Sequence, residues 1–304
     1  MKTPPMNDYL ALVANCTLHG VDFTLGEKDG KPWKFRNLIK VEIEGKTVEL
    51  HQNKDLPLNR HKLARGFVPT TELYVRNVEE SEIPQVEELI GRVCELLSFA
   101  TESRVMAYGH EYPAGSGLGG QRSVSGTVQW WRPPFDDPAD AVRFLEMCYA
   151  PYSRLRDPRK LHVVIDYIHH SIMAGLAEEI KIGLACIAFE NLRDSWARDS
   201  GYPHLGGFFR AKGATQAKKG ATVGFRSHLE EMLSEVGMVD APLLAKRIVN
   251  TRNEVLHTGL YGNLHNDEVH EFLETTLREY FLRLVGYQGN FSPYVGGSPK
   301  PHKI

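Results

Sequence analysis

The stretch LHVVIDYIHHSIMAGLAEEIKIGLACIAFENLRDSWARD, residues 161–199, decides the fold class. Leu161, Val164, Ile165, Ile168, Ile172 and Leu176 recur at three- and four-residue spacing. Ile180, Leu184, Ile187, Ala188 and Leu192 repeat the pattern toward Asp199. A period near 3.6 puts each set on one side of a helix, so two consecutive amphipathic helices are expected. Leu229, Met232, Leu233 and Val236 continue the pattern downstream. Pro242–His257, with Leu244, Ile248, Val249, Val255 and Leu256, reads as a fourth helix. Asp267–Val285, with Val269, Phe272, Leu273, Thr276, Leu277, Tyr280, Phe281 and Leu284, reads as a fifth. Amphipathic helices joined by short links predict a helical bundle.

Upstream of this run the period changes. Val41–Glu44 and Thr47–Leu50 alternate apolar and polar around Gly45-Lys46, which signals a β-hairpin. Glu72–Val75, Arg104–Tyr108 and Ser123–Trp131 are further strand candidates. Pro84 opens a helix to Ala100 that carries Val86, Leu89, Ile90, Val93, Leu96 and Leu97, and Pro138 opens another to about Ala150. PYSRLRDP, Pro151–Pro158, marks the boundary between the halves. The expected class is α+β, with a mixed αβ N-terminal domain (1–154), an all-α helical bundle (155–289) and a flexible tail (290–304) that holds two glycines and three prolines.

Composition narrows the function classes. The 304 residues include 36 Lys plus Arg against 38 Asp plus Glu, a net charge of −2, with 42% apolar and 24% charged residues. These values exclude a disordered chain, a collagen-like repeat and a wholly basic nucleic-acid binder. No run of 18 apolar residues occurs, so no membrane span is expected, and the first residues do not read as a secretory signal. Cys16, Cys94, Cys148 and Cys186 are far apart without a CxxC pair, which suits reduced cysteines in the cytoplasm.

Four constellations carry possible chemistry. Gly115, Gly117 and Gly120 satisfy GxGxxG, but strand rather than helix is expected next, so a hairpin loop is the better reading than a phosphate cradle. His162, Asp166, His169 and His170 share a helix face, which permits metal-dependent hydrolysis or a merely solvated polar face. The thirty residues between Asp199 and Glu230 contain no acid but hold Arg210, Lys212, Lys218, Lys219 and Arg226, interleaved with Tyr202, Phe208, Phe209 and Phe225. Such a segment suits an RNA backbone and unstacked bases. The alternative is a solvated connector whose aromatics pack on the bundle. The fourth constellation is Thr251-Arg-Asn-Glu-Val-Leu-His-Thr-Gly259, at the end of the fourth helix with Gly259 placed as its cap. Asn253 and His257 lie one turn apart, and the helix C-terminus favours a protonated imidazole. A cation, an amide and a titratable base held together suit reaction at a phosphodiester.

The segment RNEVLH followed by Thr-Gly, late in a helical bundle, resembles the Arg-x4–6-His motif of the HEPN superfamily. The preceding AFENLRDSW helix, the long basic connector and the closing helix fit that layout over roughly residues 155–287, in a manner similar to ApeA-like HEPN proteins. The same spacing occurs at Arg104/His110, Arg156/His162 and Arg198/His204, where a strand, the boundary or a loop is expected instead of this helix. The resemblance implies a metal-independent endoribonuclease, of toxin or antiviral-defence type, that needs no cofactor and leaves a 2′,3′-cyclic phosphate. It implies a homodimer formed through the bundle, with His257 as general base, Arg252 on the scissile phosphate, and Asn253 orienting the histidine or the phosphate. Glu190 is placed to pair with Arg252, and the N-terminal domain would receive an activator or inhibitor. A non-catalytic helical module that binds RNA or a protein remains the alternative.

Overall fold

The computed structural model describes residues 7–28, 31–53, 67–122, 133–215, 222–258, 266–295 and 301–304. The side chains of Lys28, His257, Thr258 and Asn266 lie outside that description. The fold is α+β. Two compact units form, Met1–Ala150 with Asn290–Ser292, and Pro151–Gly289 with Pro293–Ile304.

The first unit holds a seven-stranded antiparallel sheet built from β1 (Asn7–Ala14), β2 (Asp22–Lys28), β3 (Lys31–Ile43), β4 (Lys46–Gln52), β5 (Pro69–Val78), β6 (Met106–Glu111) and β7 (Gly119–Gln121), in the order β2-β3-β4-β5-β1-β6-β7. Register explains its core. Val41 pairs with Val48, Val48 with Val75, and Val75 with Tyr9. Ile39, Leu50, Leu73 and Ala11 form a parallel row, so the two-residue period puts both rows on one buried face. Helix α1 (Ile83–Thr101) buries Val86, Leu89, Ile90, Val93 and Leu97, and its Glu87 accepts a hydrogen bond from the Tyr9 hydroxyl. The β3–β4 turn is Glu44-Gly45, one residue earlier than expected, because both take the positive φ of a tight hairpin turn. The interior strand β1 carries no clear alternation in YLALVA, so its sequence pattern does not announce it.

Gly115 and Gly117 fall in the β6–β7 connection, the hairpin reading of that glycine run. Gly119 is required there, since a Cβ would lie 1.8 Å from the His110 carbonyl oxygen. The expected strand Ser123–Trp131 lies outside the described residues.

Helix α2 (Pro138–Leu155) runs through Pro151, and the division between units falls inside it at Ala150/Pro151. The expected boundary segment, 151–158, is therefore helical at its start. Packing overrides the proline there, because Cys148, Tyr149 and Tyr152 are all buried.

The second unit contains α3 (Leu161–Ser171), α4 (Glu178–Asp199), α5 (Phe225–Glu235), α6 (Ala241–Thr258) and α7 (Asn266–Leu284). It is not all-α, since β8 (His204–Leu205) and β9 (Phe208–Phe209) form a small hairpin between α4 and α5. Helix α4 packs against the other four helices. Its buried face is Ile182, Ala185, Cys186, Phe189, Leu192 and Trp196. The expected stripe is rotated from this, with Ile180 53% exposed and Leu184 and Ile187 half-buried. A helix surrounded on several sides has no single apolar stripe to read. Arg159 ties the helix ends together, donating to Asp199 at 2.7 Å and to Glu235 at 3.5 Å, while the Trp196 indole donates to Glu235 at 2.6 Å.

The start of the expected tail is held. The Tyr294 backbone N–H donates to the Thr275 hydroxyl at 3.0 Å, and Phe291 is buried. Among the described residues no helix is long and apolar enough to cross a membrane.

Candidate functional site

The site grows from α6. Its buried side, Ala245, Ile248, Thr251 and Val255, follows the 3.6-residue period and docks the helix. Arg252, next to Thr251, is thereby carried to the edge of the packed surface. Its Nε and Nη2 both lie 2.6 Å from Glu190 Oε1 on α4, and Nη1 donates to Asn253 Oδ1 at 2.9 Å. Glu190 and Arg252 are each about one-third exposed. The pair is thus neither fully desolvated nor loose, and the planar guanidinium is oriented by two partners. His257 belongs to the last turn of α6, one turn beyond Asn253, but its side chain and Gly259 lie outside the described residues.

Aromatic rings connect this pair to the basic segment. The Phe225 ring lies under two guanidinium groups, with Arg193 Cζ at 4.8 Å and Arg252 Cζ at 5.4 Å from its centre. Arg193 also lies 5.2 Å from the Phe209 ring, and Arg198 approaches the same ring at 5.5 Å. Each contact of this kind contributes about 0.5–2 kcal/mol, depending on desolvation. Arg193 was not singled out in the sequence. Its i+3 relation to Glu190 inside AFENLRDSW was the available signal. Burial pushes its guanidinium below the ordinary value, and the charges of Arg252 and Arg198 add to that direction against Asp194 and Glu190.

His228 was also missed, because it sits in the apolar stripe of α5. It is fully buried among the rings of Tyr202 (4.5 Å), Phe209 (5.3 Å) and Trp196 (5.8 Å). Neither ring nitrogen has a hydrogen-bond partner among the described residues. Burial, then the Arg193 charge, depresses its pKa, so the neutral ring is favoured.

The basic residues of the connector have different environments. Arg210 is buried, donating to the Leu205 carbonyl and, at 2.6 Å, to the Thr222 hydroxyl. These donors close the connector on itself. Lys212 is exposed, with Nζ 4.7 Å from the Tyr202 ring centre. Arg226 is exposed and pairs with Glu230 at 2.7 Å, one turn along α5. Lys218 and Lys219 lie outside the described residues. Phe209 is buried on the bundle and Phe208 is 57% exposed, so the connector both packs and presents an aromatic.

The histidine face of α3 is not a uniform solvated surface. His169 is buried, and His170 Nδ1 sits 2.6 Å from the Asp166 carbonyl oxygen. Among the described residues no three His, Cys, Asp or Glu side chains are grouped to hold a metal ion. The four cysteines are buried and unpaired, and burial pushes the Cys94, Cys148 and Cys186 thiols up to about 12. They are therefore poor nucleophiles. Comparison with protein-family models, curated proteins and solved structures finds no match for this chain.

Proposed function

We propose that this chain is a metal-independent endoribonuclease of HEPN type, acting as a toxin or antiviral effector. The observation that carries the reading is Arg252 held by Glu190 of a neighbouring helix, beside Asn253, on the helix whose last turn bears His257. Arg252 binds the scissile phosphate and stabilises the charge that grows on it. His257 removes the proton from the adjacent ribose 2′-hydroxyl. The 2′-oxygen bonds to phosphorus, the bond to the 5′-oxygen breaks, and that oxygen leaves with a proton. The products are a 2′,3′-cyclic phosphate and a 5′-hydroxyl. Asn253 positions Arg252 through the 2.9 Å bond. The N-terminal unit receives the activating or inhibiting signal.

The test is cleavage of unstructured RNA in EDTA by the wild type, Arg252→Ala and His257→Ala. Each substitution is expected to slow cleavage by about 100-fold or more. Mass spectrometry should find a 2′,3′-cyclic phosphate on the products. Equal rates for His257→Ala and wild type would remove the histidine from the reaction. RNA binding without any cleavage would favour the binding module.

A further inference from the structure

The guanidinium of Arg193 has no hydrogen-bond acceptor among the described residues, and its Nε is shut away from solvent. The two carboxylates whose charges act on it are engaged elsewhere. Glu190 accepts from Arg252, and Asp194 accepts from Arg198 at 2.9 Å. The guanidinium is therefore held against Phe209 and Phe225 without an acceptor for its donors among the described residues, although the Asp194 and Glu190 charges act on it. Leaving a guanidinium partly buried without an acceptor is costly. Two guanidinium carbons lie within 5.4 Å of the Phe225 ring centre, that of Arg193 and that of the Glu190-paired Arg252. Lys212 and Phe208, which is 57% exposed, lie on the connector that supplies Phe209.

We infer that Arg193 is a second phosphate-binding arginine, which takes the RNA phosphate next to the one held by Arg252. The planar fork suits two phosphate oxygens, and its contact with two rings restrains the fork before the ligand arrives. An anion on the two Nη groups, which are not closed off as Nε is, supplies an acceptor there and relieves the repulsion between Arg193 and Arg252. The RNA identity of the ligand rests on the proposed ribonuclease reading, whereas the anion site stands on the Arg193 geometry alone.

The experiment uses the full chain and two probes. Inorganic pyrophosphate binding is measured by calorimetry, and a short 2′-O-methyl oligoribonucleotide, which cannot be cut, is followed by anisotropy at several salt concentrations. Arg193→Gln is expected to weaken both by about tenfold or more and to lower the salt slope by about 0.7, one single-strand phosphate. Arg193→Lys keeps the charge and guards against loss of fold. It is expected to retain the slope while binding several-fold more weakly. Arg143→Gln, at an exposed arginine paired with Asp140, controls for net charge and is expected to match the wild type. A wild type that ignores pyrophosphate, or an Arg193→Gln chain that binds it as the wild type does, overturns the site. RNA cleavage measured on the same preparations separates the two ideas. Pyrophosphate binding through Arg193 without cleavage supports the site independently of the nuclease reading. Cleavage with kcat and KM unchanged in Arg193→Gln supports the nuclease and removes the site.

Discussion

Glu274 lies fully buried on α7, with the Ser171 hydroxyl donating to it and His270 Nε2 3.8 Å away. Burial raises its carboxyl from the ordinary 4.5 to about 8, opposed only by the Ser171 bond. Between those values the folded chain holds a proton that the unfolded chain has released. Stability therefore falls as pH rises through that window, by at most about 1.4 kcal/mol per pH unit for one proton. Glu274→Gln removes the ionisation. Its melting temperature should gain on that of the wild type between pH 5 and pH 8, and parallel curves would refute the assignment. A different trade operates at Glu190. It orients Arg252 but also opposes an incoming phosphate. Glu190→Gln should bind uncut RNA more tightly yet cleave more slowly, giving a lower KM and a lower kcat. A fall in neither parameter would mean that the pair does not orient the reaction.

The connector between α4 and α5 shows how an element redirects its residues. A run of cations without acids suggests five free charges, yet Arg210 is turned inward to bridge Leu205 and Thr222 across the segment. Arg210→Ala leaves those acceptors without their donor and should cost about 1–3 kcal/mol. Hydrogen exchange should rise in residues 203–215 while the centre of α4 is unchanged. Protection equal to that of the wild type would show that the clamp is idle. The burial of α4 on several sides likewise turns Ile180 outward, although periodicity alone groups it with Leu192. Helix α2 continues through Pro151 because its buried flanks outweigh one lost backbone bond.

The second unit leaves apolar side chains uncovered on two helices that meet where Gly183 faces Val255. Ile180 is 53% exposed and Leu256 is 45% exposed. The homodimer that the HEPN resemblance implies would cover this region and bring two Arg252–His257 pairs into one cleft. Sedimentation at micromolar concentration should therefore give a dimer. Ile180→Asp with Leu256→Asp should give a folded monomer with reduced cleavage, because exposed positions tolerate polar residues in the single chain. A monomeric wild type would break the shared-cleft mechanism.

The helices of the second unit, the β3–β4 hairpin and the Arg252-Asn253-His257 spacing were legible in the sequence, because each rests on neighbours within one or two turns. Helical period, hairpin alternation and side-chain offsets are local properties that the chain carries without its fold. Strand β1 was not legible, since an apolar run suits a buried strand and a buried helix equally, and only pairing with β5 and β6 decides it. Tertiary packing alone could seat Arg193 between Phe209 and Phe225, close His228 among three rings, and turn Arg210 away from solvent. Those outcomes depend on residues brought together from separate elements, where burial and the supply of acceptors, rather than spacing along the chain, decide what each charge does.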